Sequence, residues 1–403
     1  MRLLISLAAA VLLGAAAHAE MPDPRNWDAV LADARDETVY FHAWGGEPRI
    51  NDYIAWAGRM VEERFGVRVI HVKVSDTAEV VSRVLTEKAA GRNKGGAVDL
   101  VWINGENFAA MKREGLLASE PWSTELPNYR FVNVENKPTV ALDFTVPVDG
   151  LEAPWGMAKL VFFYDTARMS DPPHSAEALA AWIEEHPGRF TYPQPPDFLG
   201  TTFLKQLLSE LTPDPAVLQQ PPMDENFEKV TAPLFVWLDE AQADLWREGR
   251  AYPRDYGSLR RLLADGEIDI AFAFNPADAS SAIANGELPD TVRSFVFDGG
   301  TLGNTHFVAI PFNANAGAGA MVLADFLMSP EAQAHKQDPD VWGDPTVLAV
   351  DRLPPAPRQR FEALDLGIAT LAPEDLGPTL PEPHPAWMED VEHEWARRYG
   401  VGQ

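Results

Sequence analysis

The sequence predicts an α/β protein with mostly parallel sheets, and three observations carry that prediction. Short β-rich runs alternate with amphipathic helical runs from residue 37 to residue 117. The runs 98–103 and 268–274 are apolar almost throughout, as strands covered on both faces must be. Glycines stand where the helical runs stop, the usual terminating signal.

Taken in order, residues 38–43 are a first strand that stops at Trp44-Gly45-Gly46. Asn51 or Asp52 can cap a helix carrying Ile54, Ala57, Val61 and Phe65 at helical spacing, and Gly66 ends it. Residues 67–74 form a second strand, and Ser75 or Asp76 caps a helix bearing Val80, Val81, Val84 and Leu85. Gly91, Gly95 and Gly96 break that helix before the third strand, 98–103, which passes through Asn104 into a helix reaching Gly115. Residues 121–154 are a proline-containing connection. A strand at 157–164, a helix at 174–186 capped by Ser175, a strand at 189–192 and a helix at 201–211 follow.

Beyond a proline-rich loop at 212–222, helical stretches cover 227–248 and 256–264, and Gly266 precedes the strand 268–274. Two strands surround Asp298-Gly299-Gly300 between residues 291 and 311. An alanine-rich helix at 314–328, a proline-rich stretch to Pro385 and a closing amphipathic helix at 387–399 complete the chain. The strands 98–103 and 268–274 each follow a helix and a glycine, and each leads into an asparagine, Asn104 or Asn275. Either any two parallel α/β units look this alike, or two similar lobes face one another with strand ends across a cleft. In open parallel sheets, ligands sit outside the carboxyl ends of the strands.

Composition narrows the function. Across 403 residues, 60 acidic against 33 basic side chains give a net charge of −27, which excludes a nucleic-acid binder relying on a basic footprint. With no cysteine there are no disulfides, thiolate metal sites or thiol nucleophiles. Residues 1–19 read as a cleaved export signal: Arg2, an apolar run from Leu3, and Ala17-His18-Ala19 before Glu20. The apolar run is too short to span a bilayer, and no later stretch reaches that length. A periplasmic protein not embedded in the membrane is therefore expected.

Several stretches, in their order, resemble a known family: the exported start; 38–46 followed by a helix; Val98-Asp-Leu-Val-Trp-Ile-Asn-Gly-Glu-Asn-Phe108; Trp155-Gly-Met-Ala-Lys-Leu-Val-Phe-Phe-Tyr-Asp165; and Phe326-Leu-Met-Ser-Pro-Glu-Ala-Gln333. The chain is similar to periplasmic solute-binding proteins of ABC importers, of the two-lobed type II class with thiamine-, polyamine- and iron-binding members. A poorly characterised thiamine-like subgroup is nearest. The resemblance implies a periplasmic binding protein fold in which each lobe is a mostly parallel sheet with flanking helices, joined by a hinge of crossing strands. It places residues 20–150 and 305–403 in lobe one and 151–304 in lobe two, with crossings near Trp155 and Thr301. It also implies a small-molecule ligand, an inner-membrane ABC permease as partner, a monomer, and no cofactor.

Strand ends then supply the candidate ligand residues. Trp44 precedes two glycines that let backbone approach a ligand, so its face can line the cleft; a core tryptophan is the alternative. Asn104 and Glu106 follow the third strand, Glu106 being either a helix-dipole partner or a carboxylate for a cation. Trp155 stands before the crossing strand as a second stacking face, whereas Trp102, in mid-strand, belongs to the core. Asp197, Thr201 and Asn275 offer a carboxylate, a hydroxyl and an amide at strand and helix ends, although capping alone accounts for one threonine there. Aromatic faces with carboxylates suit an organic cation, thiamine-like or polyamine-like.

Other readings fit less well. The chain lacks G-x-S-x-G, H-E-x-x-H and G-x-x-x-x-G-K-[ST], so an exported hydrolase remains only as a rival. Asp338-Pro-Asp-Val-Trp-Gly343 begins like a calcium loop, but Trp342 and Ala349 occupy positions that need oxygen ligands, so a turn is expected and no metal site. The histidines lack ligand spacing, His306 being structural. Tyr252 and Tyr256 are not adjacent, which leaves ferric binding, like anion binding, a minority alternative.

Overall fold

The computed structural model describes residues 21–400, so the export signal read at 1–19 lies outside the described residues. Helix α1 (Trp27–Ala34) leads to β1 (Thr38–Trp44), α2 (Pro48–Phe65), β2 (Arg68–Val74), α3 (Ala78–Ala89), β3 (Leu100–Ile103) and α4 (Glu106–Arg113). The expected alternation is there because the apolar residues fall at periods that bury one helix stripe on a sheet. Helix α2 starts earlier than Asn51: Glu47 accepts from the Arg49 N–H and Pro48 takes the first turn, where its missing N–H costs nothing.

A short hairpin, β4 (Leu142–Asp143) and β5 (Val146–Pro147), interrupts the long connection. The expected strand at 157–164 is two strands, β6 (Glu152–Lys159) and β7 (Val161–Asp165), one in each sheet. Helices α5 (Ala176–Glu185), α6 (Phe198–Leu211), α7 (Asp224–Ala241) and α8 (Tyr256–Ala264) lead to β8 (Ile270–Ala273), α9 (Asp278–Ala284), β9 (Val292–Phe295) and β10 (Thr301–Ala309). The chain closes with α10 (Gly317–Leu327), α11 (Pro330–Gln337), α12 (Pro355–Glu362), β11 (Thr379–Leu380) and α13 (Ala386–Tyr399). Residues 189–192, expected as a strand, are irregular: carbonyls of Arg189 and Phe190 accept from Asp269 and Trp246, and Pro193 follows without an N–H to donate.

Two sheets result. In the first, β1 pairs in parallel with β2 and β3, and β10 runs antiparallel to β3 and to β6. In the second, β7 is antiparallel to both β8 and β9, which therefore run parallel to each other on either side of it. The parallel pattern expected of this lobe survives only in those two outer strands, because the crossing strand enters between them from the hinge.

Each sheet has its own core. One is built on Phe162, Phe163, Phe190, Phe203 and Phe272, the other on Val39, Phe41, Tyr53, Trp122 and Trp155. The chain leaves the first sheet through Leu160, whose N–H donates to Leu302 at 2.8 Å, and returns along β10. A third passage follows α12: β11 pairs with the start of β10, and α13 then buries Trp387, Val391, Trp395 and Tyr399 in the core built on Phe162 and Phe203. The sequence expectation placed all of 305–403 with lobe one. Helix α13 instead joins lobe two because its apolar stripe, spaced by three and four residues, meets α6 and α7. Trp395 Nε1 donates to the Tyr192 hydroxyl at 2.9 Å, and Trp387 Nε1 to the Gln220 carbonyl at 2.7 Å.

Under the hinge lies a buried charge pair. Lys336 Nζ, with no exposed side-chain surface, meets Asp344 Oδ2 at 2.6 Å, and His306 Nε2 meets Asp344 Oδ1 at 3.1 Å. Gly156 makes room for this pair: a Cβ there would collide with the Lys336 ammonium and the Asp344 carboxylate. Removing one member strands a buried charge, which costs about 3–5 kcal/mol. Lys336→Met is therefore expected to lower unfolding free energy by about that much in urea titrations. The double variant Lys336→Met/Asp344→Leu should recover most of the loss, and equal destabilisation by both variants would refute the pairing argument.

Candidate functional site

The strand ends of the two sheets face each other, and side chains already span between them. Asn275 Nδ2, just beyond β8, donates to the Trp342 carbonyl at 3.3 Å. Ser281 Oγ, on α9, donates to the Pro339 carbonyl at 3.2 Å. Both acceptors belong to the 338–343 turn of lobe one, where Val341 and Trp342 N–H groups donate back to the Asp338 carbonyl. The sequence that begins like a calcium loop is thus a turn, and Gly343, at φ +81, closes it where a larger residue would meet Ala277. Among the described residues, no group of three or more His, Cys, Asp or Glu is placed to hold a metal.

On the lobe-one wall, Trp44 ends β1 with 41% of its surface exposed, and Gly46 leaves space for its ring. Asn51 Nδ2 donates to the Gly45 carbonyl at 3.0 Å and fixes this turn. Asn104 is half-buried at the end of β3, and Glu106 is exposed in the first turn of α4. Gly105 between them has φ +58 and donates its N–H to Asp143 Oδ1 at 2.7 Å, while the Phe144 ring covers the side where a Cβ would lie.

On the lobe-two wall, Asp197 caps α6, accepting from the Leu199 and Gly200 N–H groups at 3.0 and 3.2 Å; burial pushes its carboxyl above the usual range. Phe198 is 54% exposed and meets Phe274 edge-on, with centroids 5.5 Å apart. Thr201 is buried, and its hydroxyl donates to Glu392 on α13. Asn275 Oδ1 accepts from the Ala277 N–H at 3.0 Å, so both ends of its amide are engaged.

Trp155 stands apart from the other candidates. It is fully buried inside lobe one, edge-on to Trp102 at 5.0 Å and beside Tyr53 and Trp342, and its carbonyl accepts from Lys336 and Gln333. The crossing strand turns this residue inward, so it offers no stacking face to a cleft. Trp102, read as core, is half-buried against the same cluster.

Sequence reasoning missed four residues at the junction. Asp278 begins α9 and accepts from the Tyr256 hydroxyl, with Arg260 Nη1 3.9 Å away. Its signal was available: Asn275 leads to Asp278 much as Asn104 leads to Glu106. Phe144 and Glu382 lay in proline-containing stretches with no periodicity, and Lys205 read as one polar position of a buried helix. Lys205 Nζ is 2.9 Å from Glu382 Oε2 and 5.1 Å from the Phe144 ring centroid, so a lobe-two ammonium rests on a lobe-one aromatic face. A separate cavity of about 990 Å³, between Met21, Glu37, Asn93 and Glu125, opens at the amino ends of the lobe-one strands, away from these groups.

Two α/β lobes joined by crossing strands, with facing strand ends, define a periplasmic binding protein. The chain belongs to the bacterial extracellular solute-binding protein family, whose model matches residues 56–348. It is 44% identical over 376 residues to the protein YnjB of Escherichia coli K12, covering 93% of this chain and 94% of the relative. Its fold is similar to the spermidine/putrescine substrate-binding protein PotD of Streptococcus pneumoniae, at TM-score 0.58 and 13% identity, over 90% of this chain and 99% of PotD. It is also similar to iron-bound HitA of Pseudomonas aeruginosa, at TM-score 0.57 and 17% identity, over 89% and 98% of the two chains. The protein is therefore a solute-binding protein of an extracellular bacterial family. Among the described residues no helix is long and apolar enough to cross a membrane.

Asp278 gives the junction a pH dependence. Burial, opposed by the Arg49 charge and reinforced by those of Glu287 and Glu47, raises its carboxyl from 3.8 to about 7. The folded chain therefore holds a proton that the unfolded chain has released between those values, and stability falls as pH rises from about 4 to about 7 before levelling. Asp278→Asn should remove that slope while keeping an acceptor for Tyr256. Urea midpoints compared at pH 4.5 and 7.5 check this, and an unchanged difference between wild type and variant refutes it.

Proposed function

We propose that the protein captures a small organic cation, thiamine-like or polyamine-like, between its lobes and delivers it as a monomer to the permease. The observation that carries this reading is the exposure of aromatic faces on both walls: Trp44 at the end of β1 and Phe198 at the start of α6. Both stand open at a strand end and a helix start, and aromatic faces attract cations by about 0.5–2 kcal/mol each. Glu106, Glu47 and Asp197 stand on the same strand and helix ends and supply carboxylates. Asn104 is the orienting amide that remains open, whereas Asn275 and Thr201 act through the contacts they already make.

An anion is supported less well. The Leu199 and Gly200 N–H groups that begin α6, the natural anchor for phosphate or carboxylate, already donate to Asp197 of the same chain. Ferric capture would need a set of convergent oxygen ligands, and the acids here are dispersed over several elements. Nothing in the arrangement favours a hydrolase, and conversion of the captured solute by purified protein would overturn the receptor reading.

The deciding experiment is native mass spectrometry of protein isolated from its own periplasm. The expected adduct is an organic cation; a phosphate, sulfate or carboxylate-only molecule would overturn the assignment. With the co-purified solute in hand, Trp44→Ala should weaken binding by about 0.5–2 kcal/mol, about twofold to thirtyfold by calorimetry. Glu106→Gln should weaken it by about tenfold or more if its carboxylate is desolvated on closure.

A further inference from the structure

At the base of the interlobe junction, Lys205 lies where a bound ammonium would be expected. Its Nζ sits over the face of Phe144 at 5.1 Å from the centroid and 2.9 Å from Glu382 Oε2, and its side chain is 9% exposed. Glu382 also accepts from Asn304 Nδ2 at 3.3 Å, and Asp143 is tied to the cleft by the Gly105 N–H. Two acids and an amide near this point are almost wholly inaccessible: Asp143 at 1%, Glu382 at 1% and Asn304 at 4%. Asp143 Oδ2 and Asn304 Oδ1 have no hydrogen-bond donor. Buried acceptors without donors are costly, and they collect where a donor-bearing group belongs.

We infer that Phe144, Glu382, Asn304 and Asp143 form a primary-ammonium subsite at the base of the cleft, which the chain's own Lys205 fills when no solute is bound. The components are those used for an alkylammonium ion: an aromatic face, a carboxylate and spare carbonyl-type acceptors. Lys205 comes from lobe two and Phe144 from lobe one, so the lysine closes the junction from within. An ammonium-bearing solute competes with it for the same carboxylate and ring. This deepens the organic-cation reading of the cleft and rests on it, since it identifies a primary amine as the group that reaches the base.

The test replaces the tethered ammonium with a free one. Lys205→Ala removes what n-propylammonium supplies, so propylammonium should raise the thermal midpoint of that variant. At a hundredfold excess over its dissociation constant the probe multiplies the folded population about a hundredfold, which is a rise of several degrees. Wild type, with the position filled, should shift much less; 1-propanol should not substitute; and Lys205→Ala/Glu382→Gln should lose the response. If Lys205→Ala does not fold unaided, the yield refolded with propylammonium against 1-propanol gives the same reading. Equal responses in wild type and variant, equal effects of the alcohol, or no rescue would overturn the subsite. An anionic adduct in the periplasmic mass spectrum would overturn the cleft reading while leaving this rescue to stand or fall separately.

Discussion

The antiparallel pairing of β6 with β10 is the constraint on which the rest of the molecule depends. Seven residue pairs, from Gly303 against Lys159 to Ala309 against Glu152, hold the two strands together where the chain passes between sheets. One end of this ribbon belongs to the parallel sheet through β3, and the other runs into β7 and β9. The ladder is irregular between His306 and Phe307, opposite Gly156. There the strand must pass over Lys336, Asp344 and Trp342 without a side chain of its own. A regular ribbon with a bulky residue at 156 would have no room for the buried pair.

That pair in turn orients the turn at 338–343, whose carbonyls receive Asn275 and Ser281 from the other lobe. The interlobe contacts thus rest on a chain of causes beginning in a fully buried ammonium. Lys159 repeats the device further along β6. Its ammonium donates to the Pro378 carbonyl at 2.6 Å and the Thr379 hydroxyl at 3.0 Å, fastening the returning segment to the hinge. Burial lowers this lysine to about 8, and neighbouring carbonyl and hydroxyl dipoles hold its charge.

Most of the fold was legible from periodicity, because burial against a sheet leaves a readable stripe: β1, α2, β2, α3 and β3 fall where 38–113 predict them. What periodicity cannot reveal is which core a stripe meets. The spacing of Trp387, Val391 and Trp395 announces a helix with one apolar face, but the same face would fit either lobe. The candidate site was legible only as strand-end positions: Trp44, Asn104 and Asn275 stand where their strands stop. It was illegible at Phe144 and Glu382, whose positions are set by hydrogen bonds from distant residues rather than by local pattern. Trp155 misled for a related reason: on a strand, one residue's shift in register exchanges the inner and outer faces, and the sequence does not say which face looks inward.

The route of the chain also bears on when the protein can acquire its structure. Lobe one draws α10 and α11 from the last quarter of the sequence, and lobe two draws α13 from its end. Neither core can be completed while the C-terminal part is still emerging, so a nascent or partly translocated chain has no finished unit to collapse into. Contacts between residues this distant in sequence are slow to form, which extends the period during which the chain stays extended. For a polypeptide expected to be threaded through a membrane before it works, delayed folding keeps it in a form that can be threaded.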